Sequence, residues 1–99
     1  MIKHVIIWKL RDELSAEEKA AKKQEIKQGL EGLLGVIPGL TEITVRTELL
    51  DSSNGDLMLD SAFESREALA AYQTDPRHLA VAAVVRSVAA SRSCADYES

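Results

Sequence analysis

The sequence predicts an α+β domain of βαββαβ order, in which an antiparallel four-stranded sheet carries its helices on one face. Three observations make that prediction. The chain opens on nine residues, 2–10, that are apolar at the centre of both faces of an extended strand. Two alternating segments, 40–50 and 56–64, flank a cluster of turn residues. Stretches with apolar residues at helical spacing stand before and after that pair. Ninety-nine residues make one domain, 1–99, with no room for a second core.

In the opening segment, period-two reading puts Val5 and Ile7 on one face between Lys3 and Lys9, and Ile2, His4, Ile6, Trp8 and Leu10 on the other. A strand of this kind is covered on both sides. Ser15 and Glu18 then have the spacing of a capping box, which opens a helix. Ile26, Leu30, Leu33 and Leu34 form its apolar stripe. Lys19, Lys22, Lys23 and Lys27 interleave with Glu17, Glu18, Glu25 and Glu31 as a solvated face. Gly35 suits the left-handed position that ends the helix, and Pro38 prevents its resumption. Gly29 and Gly32 each weaken the helix by about 1 kcal/mol relative to Ala.

Along 40–50, Ile43, Val45, Thr47 and Leu49 face one way and Glu42, Thr44, Arg46 and Glu48 the other. Asp51 to Gly55 is the turn, its Asn-Gly tolerating positive φ. Along 56–64, Leu57, Leu59, Ser61 and Phe63 oppose Met58, Asp60, Ala62 and Glu64, which completes a hairpin. Ser65 caps a short helix bearing Ala68, Leu69 and Tyr72. Asp75-Pro76 interrupts it, and a second helix restarts with Asp75 as cap and runs to about Ser87, with Leu79, Ala80, Ala83 and Val84 as candidate buried positions. Ala89 to Glu98 reads as the last strand. The order is the split βαβ, or ferredoxin-like, arrangement. Because its helices cover one face only, the doubly apolar first strand calls for a second copy of the sheet, hence a homodimer with an isologous interface.

The make-up, 45% hydrophobic and 28% charged, is that of a globular protein. A net charge of −4 with no basic stripe argues against a nucleic-acid partner. No segment approaches the ~20 apolar residues of a membrane span, and no signal peptide is recognisable. Cys94 is the only cysteine, so no intramolecular disulfide forms, and the cytoplasm is the expected location.

Five short segments now carry a likeness. They are Ile2–Leu10, Ile37-Pro38-Gly39, Phe63-Glu64-Ser65, Tyr72-Gln73-Thr74-Asp75-Pro76-Arg77-His78 and Cys94-Ala95-Asp96-Tyr97. Together they resemble the stress-responsive A/B-barrel (Dabb) family of the dimeric α+β-barrel superfamily, over essentially the whole chain. The resemblance implies a dimer whose two sheets close into a barrel, but it does not imply one activity. Members include plant stress-associated proteins, some in larger assemblies, and a plant polyketide cyclase. That cyclase is similar in having His, Tyr and His at the positions of His4, Tyr72 and His78, the last serving as general base with the tyrosine assisting. It carries another histidine where this chain has Asp75, read here as a cap.

His4 and His78 are the only histidines, and Tyr72 is one of two tyrosines. A neutral imidazole with a pKa near ~6.5 takes up protons at physiological pH, and a phenol hydroxyl donates to an enolate oxygen. His78, on the first turn of its helix, is kept neutral by the helix dipole. His4, on the barrel-facing side, can line the same cavity, with Trp8 and Ile6 as ligand-binding walls; Trp8 is expected to fill the barrel or the dimer interface. The alternative is packing alone, with His78 bonded to a backbone carbonyl and Tyr72 buried as a core ring. Arg46, with Thr44 and Glu48, is either a solvated or dimer-bridging face or a polar patch for an anionic ligand, and Asp60 can pair with Arg46 or Lys3. No metal site is expected, since two histidines on separate elements lack zinc-type spacing, and no cofactor is implied. Cys94 reads as a small buried residue. Three classes of function remain: a protein binding a small apolar or aromatic molecule, a non-catalytic stress or assembly protein, and a cyclase-like or cofactor-independent monooxygenase-like enzyme.

Overall fold

The computed structural model describes residues 1–99. The elements run β1 (Ile2–Leu10), α1 (Ala16–Glu31), β2 (Leu40–Arg46), β3 (Leu57–Phe63), α2 (Arg66–Thr74), α3 (Pro76–Val88) and β4 (Ala89–Glu98). The sheet order is β2-β3-β1-β4, with every neighbouring pair antiparallel. This is the ferredoxin-like α+β arrangement. None of the helices is long and apolar enough to cross a membrane.

The apolar set of β1 that contains Trp8 lies under the helices. Ile6, Trp8 and Leu10 are buried there with Leu57, Leu59 and Phe63 of β3, against Ile26 and Leu30 of α1. Trp8 is 5% exposed within one chain, so it fills the helix-side core and not a barrel or dimer interface. The opposite face is left open. On it Val5 and Ile7 are only half-buried, and Lys3 forms ion pairs with Asp60 at 2.8 Å and Glu42 at 3.9 Å. Asp60 thus pairs with Lys3, its neighbour across β1 and β3, and that bond raises the lysine pKa.

The helices start where the sequence places them. Ser15 and Glu18 make the reciprocal capping box, Glu18 N donating to Ser15 Oγ (3.0 Å) and Ser15 N to Glu18 Oε1 (2.9 Å). The first helix ends earlier than expected, at Glu31 with Gly32 as cap, and Gly35 takes its left-handed conformation in the turn that follows. At this end Glu31 turns its carboxylate to the sheet, accepting from Val45 N (2.9 Å) and from Lys27 Nζ (2.7 Å), while Lys27 donates to Val45 O (2.9 Å). Leu33 is buried in the turn, whereas Leu34 is 49% exposed and leaves the stripe. Gly29 meets α3 and not the sheet, since a Cβ there would lie 3.0 Å from Val81 Cγ1.

Two further expectations are corrected. Strand β2 stops at Arg46, because residues 47–56 leave the ladder for a long turn. On α3 the buried side chains are Val85 and Val88, with Val81 and Val84 packed against the core, while Ala80 and Ala83 are exposed and Leu79 stays 42% exposed. α3 lies on α1 where Val81 meets Gly29.

Gly39 follows Pro38 at φ +83°, and a Cβ on it would lie 2.5 Å from Ala68 Cβ. Gly35 has nearly the same φ, +82°, with nothing within 4 Å. Urea denaturation is therefore expected to show Gly35→Ala losing about 1–2 kcal/mol from backbone strain alone, and Gly39→Ala losing more. Equal losses would mean that the loop does not press on α2.

Candidate functional site

The site grows from the break between α2 and α3. Ser65 caps α2, its Oγ accepting from Ala68 N at 3.1 Å, and the helix buries Leu69 and Tyr72 on the sheet. Asp75 ends α2 and caps α3, accepting from Arg77 N at 2.8 Å, with Pro76 at the first position. The Arg77 side chain clamps the same carboxylate and, with the backbone bond, holds it down at about 2. This break turns the chain between α2 and α3. His78, three residues past the cap, stacks on Tyr72 with ring centroids 4.0 Å apart.

Tyr72 is the centre of an aromatic cluster. Phe63 of β3 lies 4.9 Å away, and His4 of β1 meets both Phe63 and Tyr72 edge-on at 6.3 and 6.2 Å. Tyr72 has no exposed surface, and burial pushes its hydroxyl up to about 12. Burial also lowers the pKa of His78, and the charge of His4 adds to that, against the opposing pull of the Tyr72 and Gln73 carbonyls. Two polar atoms in this cluster are buried without a hydrogen-bond partner, Tyr72 Oη and His78 Nδ1. Such atoms are rare in native proteins and each one needs a reason.

His4 is 2% exposed and bonds Asp96 Oδ1 through Nδ1 at 2.5 Å. That bond sets the tautomer and leaves Nε2 for other partners. Burial raises the Asp96 carboxyl, but the His4 bond and charge, helped by Cys94 and Arg92, bring it below its ordinary value. The Cys94 thiol donates to Asp96 Oδ1 at 3.5 Å, and partial desolvation and that carboxylate push its pKa up, so it stays a thiol. Cys94 is exposed, not buried, because β4 is an edge strand that the helices do not cover.

His4, Cys94 and Asp96 bring metal-ligating atoms within 4.8 Å of one another, which chain spacing did not suggest. The two sulfur separations, 3.5 and 3.8 Å, are near those of a tetrahedral zinc site, about 3.5 Å. The His4–Asp96 separation is not: two ligands of one zinc ion stand about 3.3 Å apart, and here the pair is closed by its own hydrogen bond. As folded, the trio is a hydrogen-bonded cluster that orients His4.

These groups face a cavity of about 420 Å³ between the helices and the sheet. Its walls include Ile6, Trp8, Tyr72, His4 and His78 from the sequence-derived set. Arg46 is not among them; it is exposed on the open face of the sheet, cross-strand from Met58. His4 looks toward the helices, not into a barrel between sheets. Sequence reading missed Asp96, Arg86 and Arg92. The signal was present in part, since alternation along 89–98 puts Arg92, Cys94 and Asp96 on one face, but only the register Trp8↔Arg92 and His4↔Asp96 shows whose face that is.

The fold and this cavity define an α+β protein of the ferredoxin-like type with a small-molecule-sized chamber under its helices. Residues 2–99 match the family model described as Stress responsive A/B Barrel Domain (Dabb), and the chain belongs to that family. It is similar to a dimeric protein of unknown function and ferredoxin-like fold from Bacteroides fragilis, at 30% identity over 99% of this chain and 95% of that one, with a TM-score of 0.92. A dimeric ferredoxin-like protein of unknown function from Thermobifida fusca superposes with a TM-score of 0.83 at 21% identity, covering 99% and 90% of the two chains. A hydroxynitrile lyase from Passiflora edulis shares the fold at a TM-score of 0.78 and 18% identity, covering 97% and 90%. No curated protein sequence matches the chain significantly. The dimeric state of the similar structures supports a homodimer.

The lowered His78 pKa has a consequence for stability. As pH falls, the unfolded chain binds a proton at about 6.5 while the folded ring still resists it, so stability is full above that value and is lost as pH drops through the folded pKa. Asp75 and Asp96, both lowered, keep their charge through this window and contribute a loss only in more acidic solution. Unfolding free energy should therefore decline as pH falls below about 6.5, and His78→Gln should flatten that decline. A variant profile superimposable on the parent's would assign the titration to another group.

Proposed function

We propose that the chain acts as one domain, in a homodimer, to bind a small apolar or aromatic molecule in the cavity under α2 and α3, with Tyr72 and His78 addressing its polar group. One observation carries this reading. Tyr72 Oη is buried at the cavity with no partner in the chain, whereas the His78 ring has the Tyr72 and Gln73 carbonyls beside it; leaving the hydroxyl unsatisfied costs about 1–3 kcal/mol. Packing alone leaves the hydroxyl without a partner in the chain, and a ligand oxygen in the cavity would supply one. The cavity volume lies within the roughly 300–1,000 Å³ of small-molecule sites, and apolar walls with a few convergent polar groups are their usual make-up.

The same arrangement favours proton transfer over other chemistry. His78 stays a neutral base near pH 7, Tyr72 stays a neutral donor, and Asp96 fixes the His4 tautomer. A bound carbonyl compound with an acidic C–H would meet a base and a hydrogen-bond donor at once. The open sheet face, with Val5 and Ile7 half-buried, supports pairing of two sheets. A cytoplasmic location is part of the reading and rests on the single free thiol of Cys94.

Binding is tested by calorimetry and thermal shift with acetophenone and 2-naphthol. Both should raise the melting temperature of the parent, and His78→Ala should weaken binding by about tenfold while staying folded, as loss of one hydrogen bond predicts. If neither compound binds and His78→Ala is strongly destabilised, the site is packing only. Sedimentation should show a dimer at micromolar concentration; a monomer would overturn that part of the proposal.

A further inference from the structure

We infer that the cavity selects molecules bearing a carboxylate, that is, organic acids with an apolar or aromatic body. The inference rests on the cavity reading above and adds the charge of its occupant. Arg86 of α3 and Arg92 of β4 both line the cavity, together with His4 and His78, and no Asp or Glu is among the lining residues. This is a local inversion, because the chain as a whole carries a net charge of −4.

Neither arginine is in an ion pair. Elsewhere in the fold Arg66 pairs with Glu98 and Arg77 with Asp75, as Lys3, Lys22 and Lys27 pair with their own carboxylates. Neither Arg86 nor Arg92 has a carboxylate within ion-pair distance. Arg92 lies near Cys94 and Asp96 and its charge helps lower the Asp96 carboxyl, but it stays outside ion-pair distance, and Asp96 Oδ1 is taken by His4 and Cys94. Arg92 comes to the cavity because it pairs across the sheet with Trp8, so a guanidinium is set beside the indole wall. Arg86 sits one residue past the buried Val85 on the cavity side of α3.

Guanidinium groups present a fork that matches a carboxylate in two parallel bonds, stronger than neutral hydrogen bonds. An acid would put its apolar body against Trp8, Ile6 and Leu59 and its carboxylate at the arginine end. The overall negative charge does not forbid this, since at physiological salt it is screened beyond about 8 Å.

The test compares 4-phenylbutyrate with 4-phenylbutan-1-ol, which share a body and differ in the charged head. Binding is read by calorimetry and by the fluorescence of Trp8, the only tryptophan. The acid should bind at least about tenfold more tightly than the alcohol at low salt, and the preference should shrink as salt rises. Arg86→Gln/Arg92→Gln, both changes being at exposed positions, should keep its melting temperature and bring the two compounds within about threefold of each other. Equal binding to the parent overturns the acid preference and leaves the cavity reading standing. A preference that survives in the double variant also overturns it, because another group then reads the charge. If neither compound binds, both the preference and the cavity reading fall.

Discussion

Burying a tyrosine whole, with its hydroxyl unanswered, is the constraint around which this fold is arranged. Tyr72 is packed by Phe63 on the sheet and by His78 from the next helix, and its ring belongs to the core. Burying the ring contributes as any aromatic does, about 1.5–3 kcal/mol. The hydroxyl opposes that gain, since nothing in the chain pairs with it. Such groups are rare in native proteins, and an ordered water, a bound molecule or a reaction accounts for them.

The helix break makes the arrangement possible. A single helix through residues 66–88 would carry His78 away from Tyr72 by about 9 Å along the axis, at 1.5 Å per residue. Asp75 and Pro76 instead turn the chain, and the Arg77 clamp on Asp75 fixes the turn. From the other side, the neighbouring edge strand supplies Asp96 to hold His4. Three elements distant in sequence thus aim imidazole and phenol groups at one chamber. Its far wall is the ordinary apolar packing of β1 and β3.

Much of the fold was legible because the local signals agree with one another. The capping box at Ser15, the alternation of residues 40–46 and the Asp75-Pro76 break each have one physical reading, and each is realised. The errors arise where tertiary contact decides. Leu34 and Leu79 have helical spacing with their neighbours, but the end of α1 and the seating of α3 on Gly29 are set by contacts between elements. The two faces of β1 were distinguishable in sequence, but not which of them the helices would cover. Trp8, Ile6, His4, Tyr72 and His78 came together because their strand and helix assignments held. Arg46 did not join them because it shares a face with Glu42 and Thr44, away from the helices. Arg86, Arg92 and Asp96 stayed hidden because cross-strand register and helix rotation are not written in any short motif.

The account stands on the unanswered hydroxyl, and the unfolding free energy of Tyr72→Phe without ligand tests it most directly. Removing an oxygen that makes no hydrogen bond relieves its desolvation, so the variant should be as stable as the parent or more stable by up to about 1 kcal/mol. A loss of about 1 kcal/mol or more would mean that the hydroxyl is bonded in the native protein, and the chamber would then be only a gap in a packed core.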